Sequence, residues 1–87
     1  MTLARTVTVL LESELLTLGR ACGVIRRRNV PIRDLSVDSH GPGGLWRLSC
    51  VLDADEITVD GIVSQIGNVI GVHEATVTST PQSKAAS

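Results

Sequence analysis

The sequence predicts a single α+β domain in which strands and helices follow the order β-α-β-β-α-β. Three observations predict it. A β-branched stretch near the start of the chain alternates aliphatic and polar residues, two later stretches carry aliphatic residues at helical spacing, and a glycine-rich turn separates two more alternating stretches. With 87 residues, 43% of them hydrophobic, the chain can build one core and has no room for a second domain.

The first strand and the first helix are predicted to follow each other almost directly. The strand covers 5–12, where every second side chain is aliphatic. The helix covers 14–28, with Ser13 as its N-cap and Glu14 in the first turn, where a carboxylate suits the helix dipole. Asn29 suits the left-handed position that ends a helix. The buried stripe of this helix is expected to comprise Leu15, Leu18, Cys22 and Ile25.

The next two strands are predicted to form a hairpin over 32–39 and 45–52, around the turn HGPGG. Apolar residues alternate imperfectly in the first of them, at Ile32, Leu35 and Val37. This irregularity predicts a β-bulge near Asp34.

The second helix is predicted within 53–71, although Gly61, Gly67 and many β-branched residues disfavour helical structure there. The helical period of its apolar residues and the acid-rich segment DADE before it favour a helix. The apolar stripe comprises Val59, Ile62, Val63, Ile66 and Ile70. A last strand follows over 72–78, with Val72 and Glu74 on one face and His73 on the other. The polar segment 79–87 is expected to be a disordered tail.

This element order predicts a ferredoxin-like βαββαβ fold, a four-stranded antiparallel sheet with both helices on one face. The second sheet face is expected to be aliphatic as well, and to need cover. The core must be built from Val, Ile and Leu, because the chain has a single Trp and no Phe or Tyr. A chain of this length can bury only a small core of this kind. We therefore predict a homodimer in which a second copy covers that face.

Two blocks of the sequence resemble the ACT domain of the small regulatory subunit of acetolactate (acetohydroxyacid) synthase. They are TVTVLLESELLTLGRACGVIRRRNVPIRDLSV and GLWRLSCVLDADEITVDGIVSQIGNVIGVHEATV, and the resemblance covers 5–78. It extends to the paired arginines Arg27 and Arg28, and to the closing strand VHEATV. A chain of this length resembles the short forms of that family. The resemblance implies a regulatory subunit without catalytic residues, whose partner is the large catalytic subunit of the synthase.

The resemblance also implies a site for a branched-chain amino acid, such as valine, isoleucine or leucine, at the dimer interface. Its residues are the corner after the first strand, at Ser13, Glu14, Leu15 and Leu16, and the start of strand 2 at Pro31 and Ile32. The family has Asn where this chain has Ser13, Pro-Gly where it has Leu15 and Leu16, and Asn where it has Pro31. Since Leu16 fills space that glycine leaves open, helix capping with core packing is favoured over amino-acid binding here.

Other chemistry-bearing residues have simpler interpretations. His40 and His73 lie on different elements without cysteine or carboxylate at ligand spacing, so no metal site and no cofactor is predicted. Cys22 and Cys50 are interpreted as reduced, buried side chains. The arginines at 26–28 could bind a phosphate or an acidic partner surface, but a solvated last turn is favoured. Trp46, beside Arg47, is assigned equally to a partner interface or to the core.

Three classes of function remain from the sequence. The first is a regulatory subunit that acts on the catalytic subunit of acetolactate synthase in branched-chain amino acid biosynthesis. The alternative is a free-standing homodimeric sensor of a small amino acid. An RNA-binding domain ranks far below both, because it needs stacking aromatics on the sheet face, whereas strand 1 has none and strand 3 has only Trp46. Without a signal peptide or a membrane-spanning run, the chain is predicted to be cytoplasmic. No catalytic constellation is present in the sequence, so an enzyme is not predicted.

Overall fold

The computed structural model describes residues 3–79, and the element order in this range is the predicted one. The elements are β1 (Leu3–Leu11), α1 (Leu15–Arg28), β2 (Ile32–Asp38), a 3-10 turn (Pro42–Gly44), β3 (Trp46–Ala54), α2 (Glu56–Gly67) and β4 (Val72–Ser79). Ser79, assigned to the tail by the sequence, is the last residue of β4. The rest of the predicted tail, 80–87, lies outside the described residues.

The four strands form one antiparallel sheet in the order β2-β3-β1-β4, which confirms the predicted fold class. β1 is central and pairs with both β3 and β4. The predicted irregularity in β2 is confirmed, because the register with β3 shifts between Arg33 and Ser36. Asp34 at this bulge has a φ of 54°, a left-handed conformation that aspartate tolerates better than most residues.

The core lies between one sheet face and the two helices, and it is aliphatic as predicted. Its side chains come from β1, β3 and both helices, and β4 packs against them with half-buried residues. The buried members are Val7, Val9, Leu11, Ala21, Val24, Ile25, Leu48, Cys50, Leu52, Ala54, Val59, Ile62 and Ile66. The buried Val, Ile and Leu side chains fill the space between the sheet and the helices, and no aromatic side chain is among them.

The buried stripe of α1 differs from the predicted one. Thr17, Ala21, Val24 and Ile25 are buried, whereas Leu15 is 75% exposed. Leu18 and Cys22, also in the predicted stripe, are half-buried at its margin. The helix is therefore rotated relative to the apolar pattern, because the small residues Thr17 and Ala21 face the sheet and let α1 approach it. The apolar side chains at the margin remain available for another surface.

The start of α1 is also one residue later than predicted. Glu14, not Ser13, is the N-cap, and its side chain makes no capping hydrogen bond. Instead its Oε1 accepts a hydrogen bond from the Thr17 hydroxyl at 2.8 Å. At the other end, Asn29 has φ 55° and ψ 40°, which confirms the predicted left-handed residue.

α2 begins with a conventional cap and buries Val59, Ile62 and Ile66, as predicted. The Asp55 carboxylate accepts a hydrogen bond of 2.7 Å from the Thr58 backbone N–H, and this bond lowers the pKa of Asp55. Ile70 does not belong to the stripe, because α2 ends at Gly67 and Ile70 is 81% exposed. Val72 packs against the core instead of sharing a face with Glu74, because the β1–β4 register shifts beside it.

The sheet face away from the helices is polar, which corrects the expectation of a second aliphatic surface. Its members alternate with the core residues along all four strands. They are Ala4, Thr6, Thr8, Leu10, Arg33, Ser36, Asp38, Arg47, Ser49, Val51, Asp53, Glu74, Thr76 and Thr78. Arg33 and Asp53 form an ion pair of 2.9 Å on this face. Threonines have high β propensity, and both they and the charged residues are stable facing water, so this face gives no reason for dimerisation.

Candidate functional site

The corner between β1 and α1 is held by backbone hydrogen bonds. The Glu12 N–H donates to the Gly71 carbonyl at 2.9 Å, which ties the corner to the segment before β4. The Glu14 N–H donates to the Glu12 carbonyl at 2.8 Å, so the chain turns sharply through Ser13. The Leu18 N–H reaching the Glu14 carbonyl at 3.2 Å marks the first intrahelical bond. Because Glu14 does not cap the helix, first-turn N–H groups are left for solvent or a ligand.

Gly71 lies against this corner, next to Thr17 of α1. Its φ is 97°, and a Cβ there would lie 2.7 Å from Oγ1 and 2.9 Å from Cγ2 of the buried Thr17. Both distances are shorter than van der Waals contact, so only glycine fits between β4 and the first turn of α1. The position of α1 on the sheet therefore depends on Gly71.

The predicted amino-acid site is only partly assembled within one chain. Leu15 and Leu16 are 75% and 62% exposed at the mouth of the corner, beside exposed Ser13 and Glu14. Pro31 and Ile32 lie at the opposite end of the sheet, because Ile32 is paired through Leu52 to Arg5. Arg5 and Leu11 are six residue steps apart along β1, a distance of about 20 Å at about 3.3 Å per residue. The two halves of the predicted site can meet only across two copies of the chain.

The outer strand β2 carries the apolar surface that the open sheet face lacks. Ile32, Leu35 and Val37 are exposed by 40%, 55% and 42%. Neither helix covers this strand, and all seven of its residues are exposed. The other outer strand, β4, exposes His73, Glu74, Thr76 and Thr78 instead. The two edges of the sheet thus differ in kind, and β2 is the one suited to an apolar partner.

Trp46 and Arg47 lie on opposite sides of the sheet. Trp46 pairs with Leu11 on the helix side, is half-buried against the core, and lines a cavity of about 340 Å³ with Val37 and His40. Arg47 pairs with Leu10 on the polar side. The two side chains therefore cannot form one continuous contact surface on a single sheet face, and Trp46 combines core packing with an accessible edge.

A groove lies on the outer side of α1, where the sequence analysis favoured a solvated helix end over binding of an acidic partner. It has a volume of about 520 Å³ and is formed by α1 together with the segment after α2. Its floor is apolar, with Val24, Val69 and Ile70, and Gly23 opens it. The remaining lining residues are Arg20, Arg26 and Arg27. The sequence signal for this groove was a glycine inside a helix flanked by arginines.

Titratable groups elsewhere do not form a reactive cluster. Burial raises the pKa of both Cys22 and Cys50, so the thiols stay protonated and weakly nucleophilic near neutral pH. His73 lies 3.5 Å from the Glu12 carboxylate at the exposed corner. Within residues 3–79, no group of three His, Cys, Asp or Glu side chains is placed to hold a metal ion. Neither described helix, at 14 and 12 residues, has the length and hydropathy to cross a bilayer.

Comparison with solved structures identifies the architecture. The chain superposes on the ACT domain of the GTP pyrophosphokinase of Chlorobium tepidum with a TM-score of 0.75, covering 90% of this chain and 100% of that domain at 13% identity. The chain has the ACT-domain fold. An uncharacterized protein from Thermotoga maritima has the same arrangement, with a TM-score of 0.75, 12% identity, and coverage of 92% of this chain and 99% of that one. The C-terminal domain of the MgtC protein from Mycobacterium tuberculosis has a TM-score of 0.74 and 12% identity, and the match covers 98% of this chain and 95% of that one. At these identities the likeness establishes the ACT fold alone.

The sequence is also similar to part of a longer protein. The chain is 31% identical over 65 residues to a probable acetolactate synthase small subunit from Archaeoglobus fulgidus. The aligned part covers 75% of this chain and 41% of that protein, so the chain spans less than half of its relative's length. No protein-family profile matches the chain.

Proposed function

We propose that this ACT domain is a regulatory module that associates with the catalytic subunit of acetolactate synthase and modulates its activity. The similarity to an acetolactate synthase small subunit is the observation that carries this proposal. Two structural features support it. The side chains that could do chemistry are dispersed over the described residues, and the exposed apolar side chains lie at edges suited to protein contacts.

The exposed strand β2 supports a homodimer as the working unit. Two copies related by a two-fold axis can pair their β2 strands antiparallel and extend the sheet to eight strands. Pairing would bury Ile32, Leu35 and Val37 of both copies together with the half-buried margin of α1, Leu18 and Cys22. The contact surface of the proposed dimer is therefore the outer edge of the sheet, and not the open sheet face that the sequence analysis expected.

An amino-acid sensor is the second candidate function, and the same dimer geometry favours it. Antiparallel pairing brings the start of β2 of one copy toward the end of β2 of the other, which is the end of the sheet where the β1–α1 corner lies. Pro31 and Ile32 of one copy would then approach the corner of its partner, with Leu15 and Leu16 at the mouth. First-turn N–H groups of α1 could bind the ligand carboxylate.

Addition of this chain is expected to change the activity of the large acetolactate synthase subunit encoded in the same genome. An interface of standard size supports submicromolar affinity, so a stoichiometric response is expected in the micromolar range. Acetolactate formation by the purified large subunit would be measured with increasing amounts of the chain, with heat-denatured chain as the control. Unchanged activity together with no co-elution of the two proteins would refute the association and favour the independent sensor.

The native corner is expected to bind valine weakly, and the variant Leu15→Pro/Leu16→Gly to bind it at least about tenfold more tightly. Leu15 is the first helical residue, where proline is well tolerated, and glycine at the second position lets a ligand approach the backbone. Isothermal titration calorimetry with L-valine and with D-valine as the control measures both proteins. Tight stereospecific binding by the native chain would show that Leu16 does not obstruct the site.

A further inference from the structure

We infer that the groove on the outer side of α1 is a docking site for an acidic protein segment that presents an apolar side chain between carboxylates. This inference rests on the proposed function, since the segment is assigned to the catalytic partner. The groove surface, defined as Arg20, Gly23, Val24, Arg27, Val69 and Ile70, is separate from the β2 edge. A homodimer formed through β2 therefore leaves it free on both copies.

The charge of the groove surface is opposite to that of the chain as a whole. The chain has a net charge of −1, yet α1 carries four arginines and no acidic residue over Leu15–Arg28. Within residues 3–79, the side chains of Arg20, Arg26 and Arg27 take part in no ion pair or hydrogen bond, whereas Arg28 Nε donates to the Gln65 side chain at 3.3 Å. A helix end accounts for cations in its last turn, but Arg20 lies in the middle of α1. Carboxylates of a partner are the complementary groups.

The floor of the groove adds an apolar component that a simple anion would not use. Ile70 is 81% exposed and lies next to Val69 and Val24. An isolated phosphate or sulfate would meet the arginines and leave this aliphatic floor in water. A protein segment with an aliphatic or aromatic side chain fills the groove, and its flanking carboxylates reach the arginines.

Gly23 lines the groove and adds no side chain to it. A Cβ at this position would have no heavy atom within 4 Å, so the packing of the chain itself does not require glycine. The helix nonetheless carries glycine there, at a cost of about 1 kcal/mol relative to alanine. The missing side chain keeps the groove open over Val24. This contrasts with Gly71, whose glycine is required by contacts inside the domain.

The test is direct binding of the full chain to the large acetolactate synthase subunit encoded in the same genome, measured by biolayer interferometry. Arg20→Gln/Arg27→Gln is expected to weaken binding by about tenfold, and raising the salt from about 50 to about 500 mM NaCl to weaken the native complex by a similar factor. The control, Thr76→Glu/Thr78→Glu, changes the net charge by the same two units on the polar sheet face. It is expected to bind as the native chain does.

Gly23→Leu provides a second variant whose effects on stability and on binding have opposite signs. Filling the groove is expected to keep or raise the melting temperature, because leucine is a better helix former, while weakening binding by about tenfold. Equal binding by native chain, Arg20→Gln/Arg27→Gln and Gly23→Leu would overturn the docking site and leave the proposed function intact. Equal losses in the Thr76→Glu/Thr78→Glu control would also overturn it.

Two further outcomes separate the inference from its alternatives. No binding of the native chain to the large subunit would refute the proposed function and the docking site together. Dissociation of the homodimer by Arg20→Gln/Arg27→Gln, measured by light scattering, would show that a second copy occupies the groove and would overturn the assignment to the catalytic partner.

Discussion

Leu35→Lys/Val37→Lys is expected to convert the homodimer into a monomer at micromolar concentration. Both side chains are exposed on β2, the strand left uncovered by the helices. In the proposed dimer each copy would bring two ammonium groups into an apolar junction, next to the same groups of its twin. Lysine on an outer strand is a common natural device against strand pairing. We expect the dissociation constant to rise by about 100-fold or more, each tenfold step corresponding to about 1.4 kcal/mol.

Size-exclusion chromatography with multi-angle light scattering over a range of concentrations measures this effect. Thr76→Lys/Thr78→Lys on β4, the other outer strand, is the matched control and is expected to remain dimeric. Circular dichroism verifies that both variants stay folded. A native chain that is monomeric at high micromolar concentration, or a β2 variant that still dimerises, would exclude pairing through β2.

Gly71→Ala is expected to destabilise the domain by about 2–5 kcal/mol. About 1–2 kcal/mol comes from the positive φ, which disfavours any residue with a Cβ. Forcing the new methyl group against Thr17 adds about 1–3 kcal/mol, because the Thr17 side chain is buried. For a domain of this size, in which each kcal/mol shifts the melting temperature by about 4–8 °C, the melting temperature is expected to fall by at least about 8 °C and by up to about 40 °C. Thermal and urea unfolding monitored by circular dichroism measure the change.

Two companion variants separate the backbone contribution from the steric one. Thr17→Ala/Gly71→Ala removes the groups that the new methyl would meet, so the two substitutions are expected to couple by about 1 kcal/mol or more. Gly19→Ala, on α1, is the control, because a Cβ there meets nothing within 4 Å, and it is expected to leave stability unchanged or raise it. A Gly71→Ala protein as stable as the native one would show that the corner rearranges freely.

The sequence predicted the order of elements because each strand and helix carries its own signal. Three such local patterns are found again in the fold. They are the alternation at Val7, Val9 and Leu11, the helical period at Val59, Ile62 and Ile66, and the irregular alternation around Asp34. The hairpin and the strand order then follow from general rules of chain connection. The family resemblance rested on the same local features, and the ACT fold agrees with it.

What the sequence could not predict depends on contacts between distant segments. The rotation of α1 was missed because it buries Thr17 beside Gly71, a residue distant in sequence, and leaves Leu15 exposed. The polar open face, in contrast, could have been predicted, because Thr6, Thr8 and Ser49 already alternate with aliphatic positions in the sequence. The arginine groove needed Ile70 to be placed beside α1, although the periodicity had assigned it to the core of α2.

The β-bulge at Asp34 has a consequence for how the two copies of the proposed homodimer align. A straight outer strand can slide against its twin by two residues and still satisfy its backbone, which invites alternative alignments and open-ended stacking. With one left-handed residue interrupting β2, the two kinks must face each other across the axis for the side chains on either flank to mesh. In the proposed homodimer, Asp34 would therefore fix the alignment of the two β2 strands, because any other register sets the bulge of one copy against a regular stretch of the other.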